Sequence, residues 1–350
     1  MKVVVLSPFN VIPPNFGGAE RIFNLATRLG EATLIALNWQ GIDQEGTLGK
    51  MKYRLISAEP EAYEQAQKLL KLGLHTWDGI PALVKNKLKK LRSAIEEENP
   101  DRIVLEHPWL VPFVGNTPFI YDSHNAEHYL TYSRWPNSYD EQIVKQLEGQ
   151  ALRQALKITT CSEVDAYLMQ KAYGPDKPMV WIPNGTDLPA KTSEGKTKNL
   201  LFIGSFYGPN IKGAQLLANL APQLPDYTIQ ILGGCVQGVK ADSPNVQLIG
   251  AVTEEEKDKY FQEAYAFINL VSHGSGTALK NGRAMAYGLP VIATKVGGRG
   301  YPTAIITEPE GVPNALAQLD WRKEKEKNLT YAQSISWDTV GEKFREVVLA

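Results

Sequence analysis

Short apolar runs alternate with longer stretches of amphipathic spacing along the whole chain. In the first half the runs fall at 3–6, 33–37, 53–56, 102–105, 119–121 and 157–160. Helical spacing occupies 18–29, 61–72, 80–98 and 139–156. A short apolar run bounded by turn residues predicts a buried strand, and apolar positions recurring every three or four residues predict a helix. Their regular alternation predicts parallel sheets joined by crossover helices.

The alternation pauses at 187–198, which is polar and turn-rich, and then restarts. Runs at 200–203, 228–232, 246–249, 266–271 and 291–293 alternate with helices expected from Asn210, Glu254 and Thr277. The pattern therefore predicts two Rossmann-like units, 1–187 and 199–335, with the polar stretch between them. A last amphipathic helix is expected over 336–350.

Composition narrows the class. A chain of 350 residues is long for one domain, and 43% hydrophobic with 21% charged residues is ordinary for a globular enzyme. A net charge of −1 provides no bulk attraction to nucleic acid or anionic membrane. Cys161 and Cys235 each follow a strand-like run and are expected as buried free thiols. No run approaches the roughly 18 apolar residues of a membrane span, and the apolar run at the N-terminus is too short for a signal peptide. A cytoplasmic protein is expected. The basic amphipathic stretch 83–92 keeps open a peripheral contact at the inner membrane face, beside the plainer reading of a solvated helix face.

Three places carry candidate chemistry. After the first strand a loop leads to Gly17-Gly18, which opens a helix where backbone N–H groups and the helix dipole can meet an anion. A plain tight turn explains the same pair, and no G-x-G-x-x-G motif occurs, which argues against a nicotinamide dehydrogenase. Asp122-Ser123-His124-Asn125 follows an apolar run, at the end of a strand where open α/β sheets place ligand groups. His124 is the functional candidate there. His128 reads as structural, and His107, at another strand end, is a weaker candidate. Lastly, Gly274-Ser275-Gly276-Thr277 precedes a helix carrying Lys280 near its start, an arrangement suited to a diphosphate.

In this order the motifs resemble the family 4 retaining glycosyltransferases of the two-domain GT-B fold. The resemblance rests on Gly17-Gly18-Ala19-Glu20-Arg21, on Asp122 to Glu127, and on Ile182-Pro183-Asn184-Gly185-Thr186-Asp187. It continues through Phe202-Ile203-Gly204-Ser205 with Lys212-Gly213, Asn245 to Val252, Gly274 to Pro290, and Ser336-Trp337. It implies two Rossmann-like domains facing across a cleft, with the closing helix crossing back to the first. It also implies transfer of a sugar from a UDP- or GDP-linked donor to an acceptor hydroxyl, with retention and without metal.

By resemblance, His124 would contact the transferred sugar, and Lys212 and Lys280 would neutralise the leaving diphosphate. Gly17 and Gly18 would lie near that diphosphate, Val252 near the base, and Ser205, Gly274, Ser275, Gly276, Thr277 and Arg283 elsewhere around the donor. The acceptor, a sugar, a lipid-linked group or another hydroxyl compound, would be held by the first domain. Two departures bear on function. The family usually carries two glutamates eight positions apart in the donor loop and helix, and here those positions are Ser275 and Arg283. Ser205 stands where the family often has arginine. A non-catalytic binding or scaffold subunit, or a nucleotide-sugar epimerase on the same fold, are the competing expectations.

Overall fold

The computed structural model describes residues 1–350 and divides into two units, Met1–Pro183 with Val340–Ala350, and Asn184–Thr339. The strands of the first unit are β1 (Val3–Ser7), β2 (Ala32–Asn38), β3 (Gln44–Leu48), β4 (Met51–Ser57), β5 (Arg102–Glu106), β6 (Phe119–Ser123), β7 (Lys157–Thr160) and β8 (Met179–Trp181). Its helices are α1 (Gly17–Arg28), α2 (Pro60–Lys71), α3 (Ile80–Leu83), α4 (Lys89–Glu98), α5 (Glu127–Arg134), α6 (Tyr139–Gln154) and α7 (Glu163–Tyr173). One sheet runs in the order β3-β4-β2-β1-β5-β6-β7-β8, parallel throughout except that β3 returns antiparallel on β4. Its central strands are buried on both faces, as expected when helices cover both sides of a parallel sheet.

The second unit contains β9 (Asn199–Ile203), α8 (Gly208–Leu220), β10 (Thr228–Leu232), β11 (Val246–Gly250), α9 (Glu254–Glu263), β12 (Ala266–Asn269), α10 (Leu279–Ala286) and β13 (Val291–Ala293). It closes with β14 (Ile305–Ile306), α11 (Val312–Ala317) and α12 (Trp321–Ser334). Its sheet is wholly parallel, in the order β11-β10-β9-β12-β13-β14. In each sheet the winding reverses beside the first strand, between β1 and β5 and between β9 and β12. Such reversals leave a crevice beyond the carboxyl ends of the strands, where open sheets bind ligands.

The last helix, α13 (Trp337–Leu349), finishes in the first unit. Phe344 and Val348 are fully buried, Lys157 donates to the Val347 carbonyl at 3.0 Å, and Arg102 donates to that of Val348. The crossing back that the resemblance implied is therefore present.

Four expectations are corrected. The helix over 80–98 is broken, because Leu88 leaves helical geometry (ψ 63°) to bury its side chain, so α3, a 3-10 turn and α4 replace it. The strand at 266–271 stops at Asn269, and the helix expected from Thr277 begins at Leu279. The 187–198 stretch, expected between the two units, is part of the second. Ser193 donates its N–H to the Tyr287 carbonyl and its hydroxyl to that of Ala264, and Gly195 packs against Trp321. The exposed hairpin strand β3 and the short β8 and β14 carry too little apolar pattern to be expected.

Candidate functional site

In the first unit, α1 begins at Gly17 without a side-chain cap, which leaves its first N–H groups open beside the end of β1. The helix buries Ala19, Ile22, Leu25 and Ala26 and, on the same side, Arg21. Arg21 forks onto Asp122 at 2.9 and 2.8 Å and reaches the carbonyls of Ile182 and Pro183 at 3.1 and 3.2 Å. Thr159 donates to the same carboxylate at 2.6 Å. Burial opposes the guanidinium charge, but Asp122 outweighs it and holds the arginine above its ordinary pKa.

Next to this pair lies His124, 6% exposed, with Nε2 2.7 Å from Glu106 Oε2. Its Nδ1 is turned toward the start of α1, since a Cβ added at Gly18 would stand 3.7 Å from it and 3.1 Å from the Phe16 ring. Burial, with His107 and Arg21 nearby, pushes His124 well below the ordinary histidine range. Burial and the neighbouring Asp122 push Glu106 well above the carboxylate range.

His107 lies with its ring centroid 4.1 Å from that of His124, and its Nδ1 is 2.8 Å from Glu127 Oε1. The backbone at His107 has φ +60° and ψ 161°, a conformation costing a non-glycine residue about 1–3 kcal/mol. Behind these groups Glu148 accepts from the N–H groups of Glu127 and His128 at 2.7 and 3.1 Å and from Tyr173 at 2.9 Å. Burial and Glu127 raise Glu148 to about 8. His128 pairs with Glu141 at 2.6 Å. Glu106, Asp122 and His124 place one ligand atom each within 4.8 Å of one another. Arg21 already spans both oxygens of Asp122, so a metal bound there would face a fixed positive charge.

In the second unit, the crevice between β9 and β12 is shaped by close backbone packing. A Cβ at Gly233 would stand 2.3 Å from the Gly204 carbonyl, and one at Gly297 would stand 2.2 Å from that of Asn269. Asn269 and Asn281, both fully buried, meet at 2.9 Å and both donate to the Gly297 carbonyl. Their network joins the end of β12 to α10 and to the following glycine turn.

Lys280, in the first turn of α10, donates to the Ile203 carbonyl at 2.9 Å and to Asn210 Oδ1 at 3.0 Å, with its ammonium 4.5 Å from the Phe202 ring centroid. No carboxylate pairs with it, and burial lowers it to about 8. Asn210 in turn donates to Ser205 Oγ at 3.2 Å, so Ser205 and Lys280 share one network. Gly274 (φ 137°) and Gly276 (φ 67°) shape the loop, and Thr277 receives a bond from Asn184 at 2.8 Å.

Lys212 is exposed on α8, and Val252 precedes Thr253, which caps α9 with Glu256. Arg283 donates to Glu254 at 2.8 Å and to Asp258 at 2.6 Å. Burial opposes its charge, but those two bonds raise its pKa. In this structure its guanidinium is engaged by α9. Sequence reasoning missed Glu106, Glu127, Glu148 and Asn210, and gave Arg21 no role. The signal for Glu106 was a carboxylate directly after the apolar run Ile103–Leu105.

Two doubly wound sheets, each with its switch-point crevice, give the two-unit architecture of the GT-B fold. Family models match in series, Glycosyltransferase Family 4 over residues 17–189 and Glycosyl transferases group 1 over 197–319. The chain belongs to this family of group 1 glycosyltransferases. Among solved structures it is similar to sucrose-phosphate synthase from Thermosynechococcus elongatus, with a TM-score of 0.74, 15% identity, and 99% and 98% of the two chains covered. It is also similar to WaaG, a glycosyltransferase of lipopolysaccharide biosynthesis (TM-score 0.69, 15% identity, 99% of both chains). A third is HepE from Anabaena in complex with UDP-glucose (TM-score 0.68, 16% identity, 100% and 99%). At such identities the likeness shows the fold. No curated protein matches by sequence. No helix is long and apolar enough to cross a membrane.

Proposed function

We propose that this chain transfers a hexosyl group from a UDP- or GDP-linked sugar to an acceptor hydroxyl, with retention and without a metal. The observation that carries the reading is Lys280, an ammonium at the mouth of the β9–β12 crevice with neutral partners only. A leaving diphosphate gains charge as its bond to the sugar breaks. A cation held there acts where charge develops and so lowers the barrier. Lys212 adds a second charge from α8, and the N–H groups at the 274–278 loop add dipoles.

In the proposed step the bond from the anomeric carbon to the diphosphate oxygen breaks, and its electron pair stays on the diphosphate. The acceptor oxygen bonds to the same face of that carbon, and its proton passes to the departing phosphate oxygen. His124 Nδ1, neutral and facing Gly18, would contact the sugar. HepE, which was solved with UDP-glucose, supports a nucleotide-sugar donor.

The test is binding first and transfer second. Melting with UDP, GDP, ADP and TDP should single out one base, and transfer should then be assayed with its sugars. Lys280→Ala should lower kcat by about 10²-fold. An unchanged kcat at saturating donor would remove Lys280 from the mechanism. Binding without transfer to any acceptor would favour the scaffold reading, which Ser275 and Arg283 motivate.

Membrane contact through 83–92 is proposed only in electrostatic form. Val84, Leu88 and Leu91 are buried in the core, while Lys85, Lys89, Lys90 and Arg92 are exposed. Adhesion to anionic vesicles should therefore disappear at high salt.

A further inference from the structure

The cluster at the end of β5 holds a second imidazole that the proposed reaction does not use. His107 is 8% exposed, and its Nε2 is buried with no hydrogen-bond partner. The other ring nitrogen is fully committed. Nδ1 lies 2.8 Å from Glu127 Oε1, an oxygen that also receives Asn125 Nδ2 at 3.1 Å. Because that oxygen acts as acceptor, Nδ1 carries the hydrogen, and in that tautomer Nε2 presents a lone pair. An orphaned acceptor of this kind in a buried site calls for a donor that the protein itself does not supply.

What surrounds the ring narrows the donor. Phe9 meets His107 edge-on at 5.4 Å and Phe16 at 4.9 Å, and Phe16 is 48% exposed although it precedes α1 directly. The same loop brings Phe16 against Gly18, beside His124 Nδ1. A group that combines apolar C–H faces with hydroxyl donors matches aromatic rings next to bare imidazole nitrogens.

We infer that His107 is a ligand-binding residue: its Nε2 accepts a hydrogen bond from a hydroxyl of a sugar ring that packs on Phe16. Phe9 covers the imidazole, so entry requires the 8–16 loop to carry Phe9 aside. This rests on the glycosyl-transfer reading, in that the ring is then the acceptor or the sugar of the donor. The strained backbone at His107 fits a residue held for a ligand rather than for packing.

The test uses the full chain labelled with 15N-histidine, with the His107 signals assigned by His107→Gln. Without ligand, Nε2 should show the shift of an unprotonated nitrogen, and Nδ1 that of a protonated one. Four additions follow separately: a panel of free glucose, galactose, mannose and N-acetylglucosamine, then UDP, then UDP-glucose, then inorganic phosphate. Movement of Nε2 with a free sugar identifies the acceptor ring, and movement with UDP-glucose but not UDP identifies the donor's sugar. Phe16→Ala, at an exposed position, should weaken that sugar about ten-fold while leaving UDP affinity unchanged. His107→Phe should abolish the sugar effect and His107→Gln should retain part of it.

A protonated Nε2, an Nε2 signal unmoved by every sugar and by UDP-glucose, or a Phe16→Ala variant equal to the parent overturns the assignment. Loss of the UDP response alone would instead count against the nucleotide-sugar reading, because the free-sugar arm is read independently of it.

Discussion

Lys280 keeps its charge in surroundings that contain only dipoles and a ring, which is why it sits at about 8 instead of 10.5. An anion would relieve this, so protonation and diphosphate binding are linked. UDP affinity is expected to fall as pH rises through about 8, and Lys280→Met should show weaker binding with that dependence gone. The sign for stability is opposite. The unfolded chain binds more protons than the folded one between about 8 and 10.5, so this residue makes the second unit more stable as pH rises across that window. Calorimetry across the range measures both trends. A parent affinity flat through pH 8 would deny Lys280 its phosphate.

Arg283 shows how a substitution relative to the family is absorbed by neighbours. A glutamate reinstated there would meet Glu254 and Asp258, which now hold the guanidinium at 2.8 and 2.6 Å. Arg283→Glu is therefore expected to destabilise rather than to restore nucleotide affinity. Since these side chains are partly exposed, the cost should be about 1 kcal/mol, read as a lowered melting temperature. Tighter UDP binding by that variant would show that the carboxylates tolerate a third.

At the scale of elements, α1 is tied to β6 by a fully buried ion pair. Removing one partner leaves the other charged and unpaired in the core. Arg21→Met should thus cost about 3–5 kcal/mol in chemical denaturation, and the double variant Arg21→Met with Asp122→Leu should recover much of it. In the second unit, Gly297→Ala should lose several kcal/mol by comparison with a surface substitution, because its methyl would overlap the Asn269 carbonyl.

The parallel sheets were legible because β1, β5, β6, β9 and β12 are nearly unbroken apolar runs. Strand β3 was not, since its side chains are mostly exposed and only the antiparallel pairing with β4 defines it. The position of His124 at a strand end was equally legible. Its partner Glu106 was not, because a lone carboxylate gains meaning only when the topology places β5 next to β6. Arg283 could be named as unusual from the sequence, yet its partners lie 25 and 29 residues away on a helix whose approach spacing does not encode.

Over the whole molecule, the chain passes from the first unit to the second after Pro183 and returns after Thr339. In topological terms the second unit is an insertion within the first. During synthesis the segment 184–339, with all six strands of its sheet, is made before the residues that finish the first unit. The first unit must wait with the sites for Phe344 and Val348 uncovered until α13 arrives. Residues 184–339 expressed alone are expected to give a cooperative melt that UDP shifts upward. Residues 1–183 alone should aggregate unless a peptide of 337–350 is supplied in trans. The order of folding along the nascent chain is then the reverse of the order of its sequence: the part begun first is the part completed last.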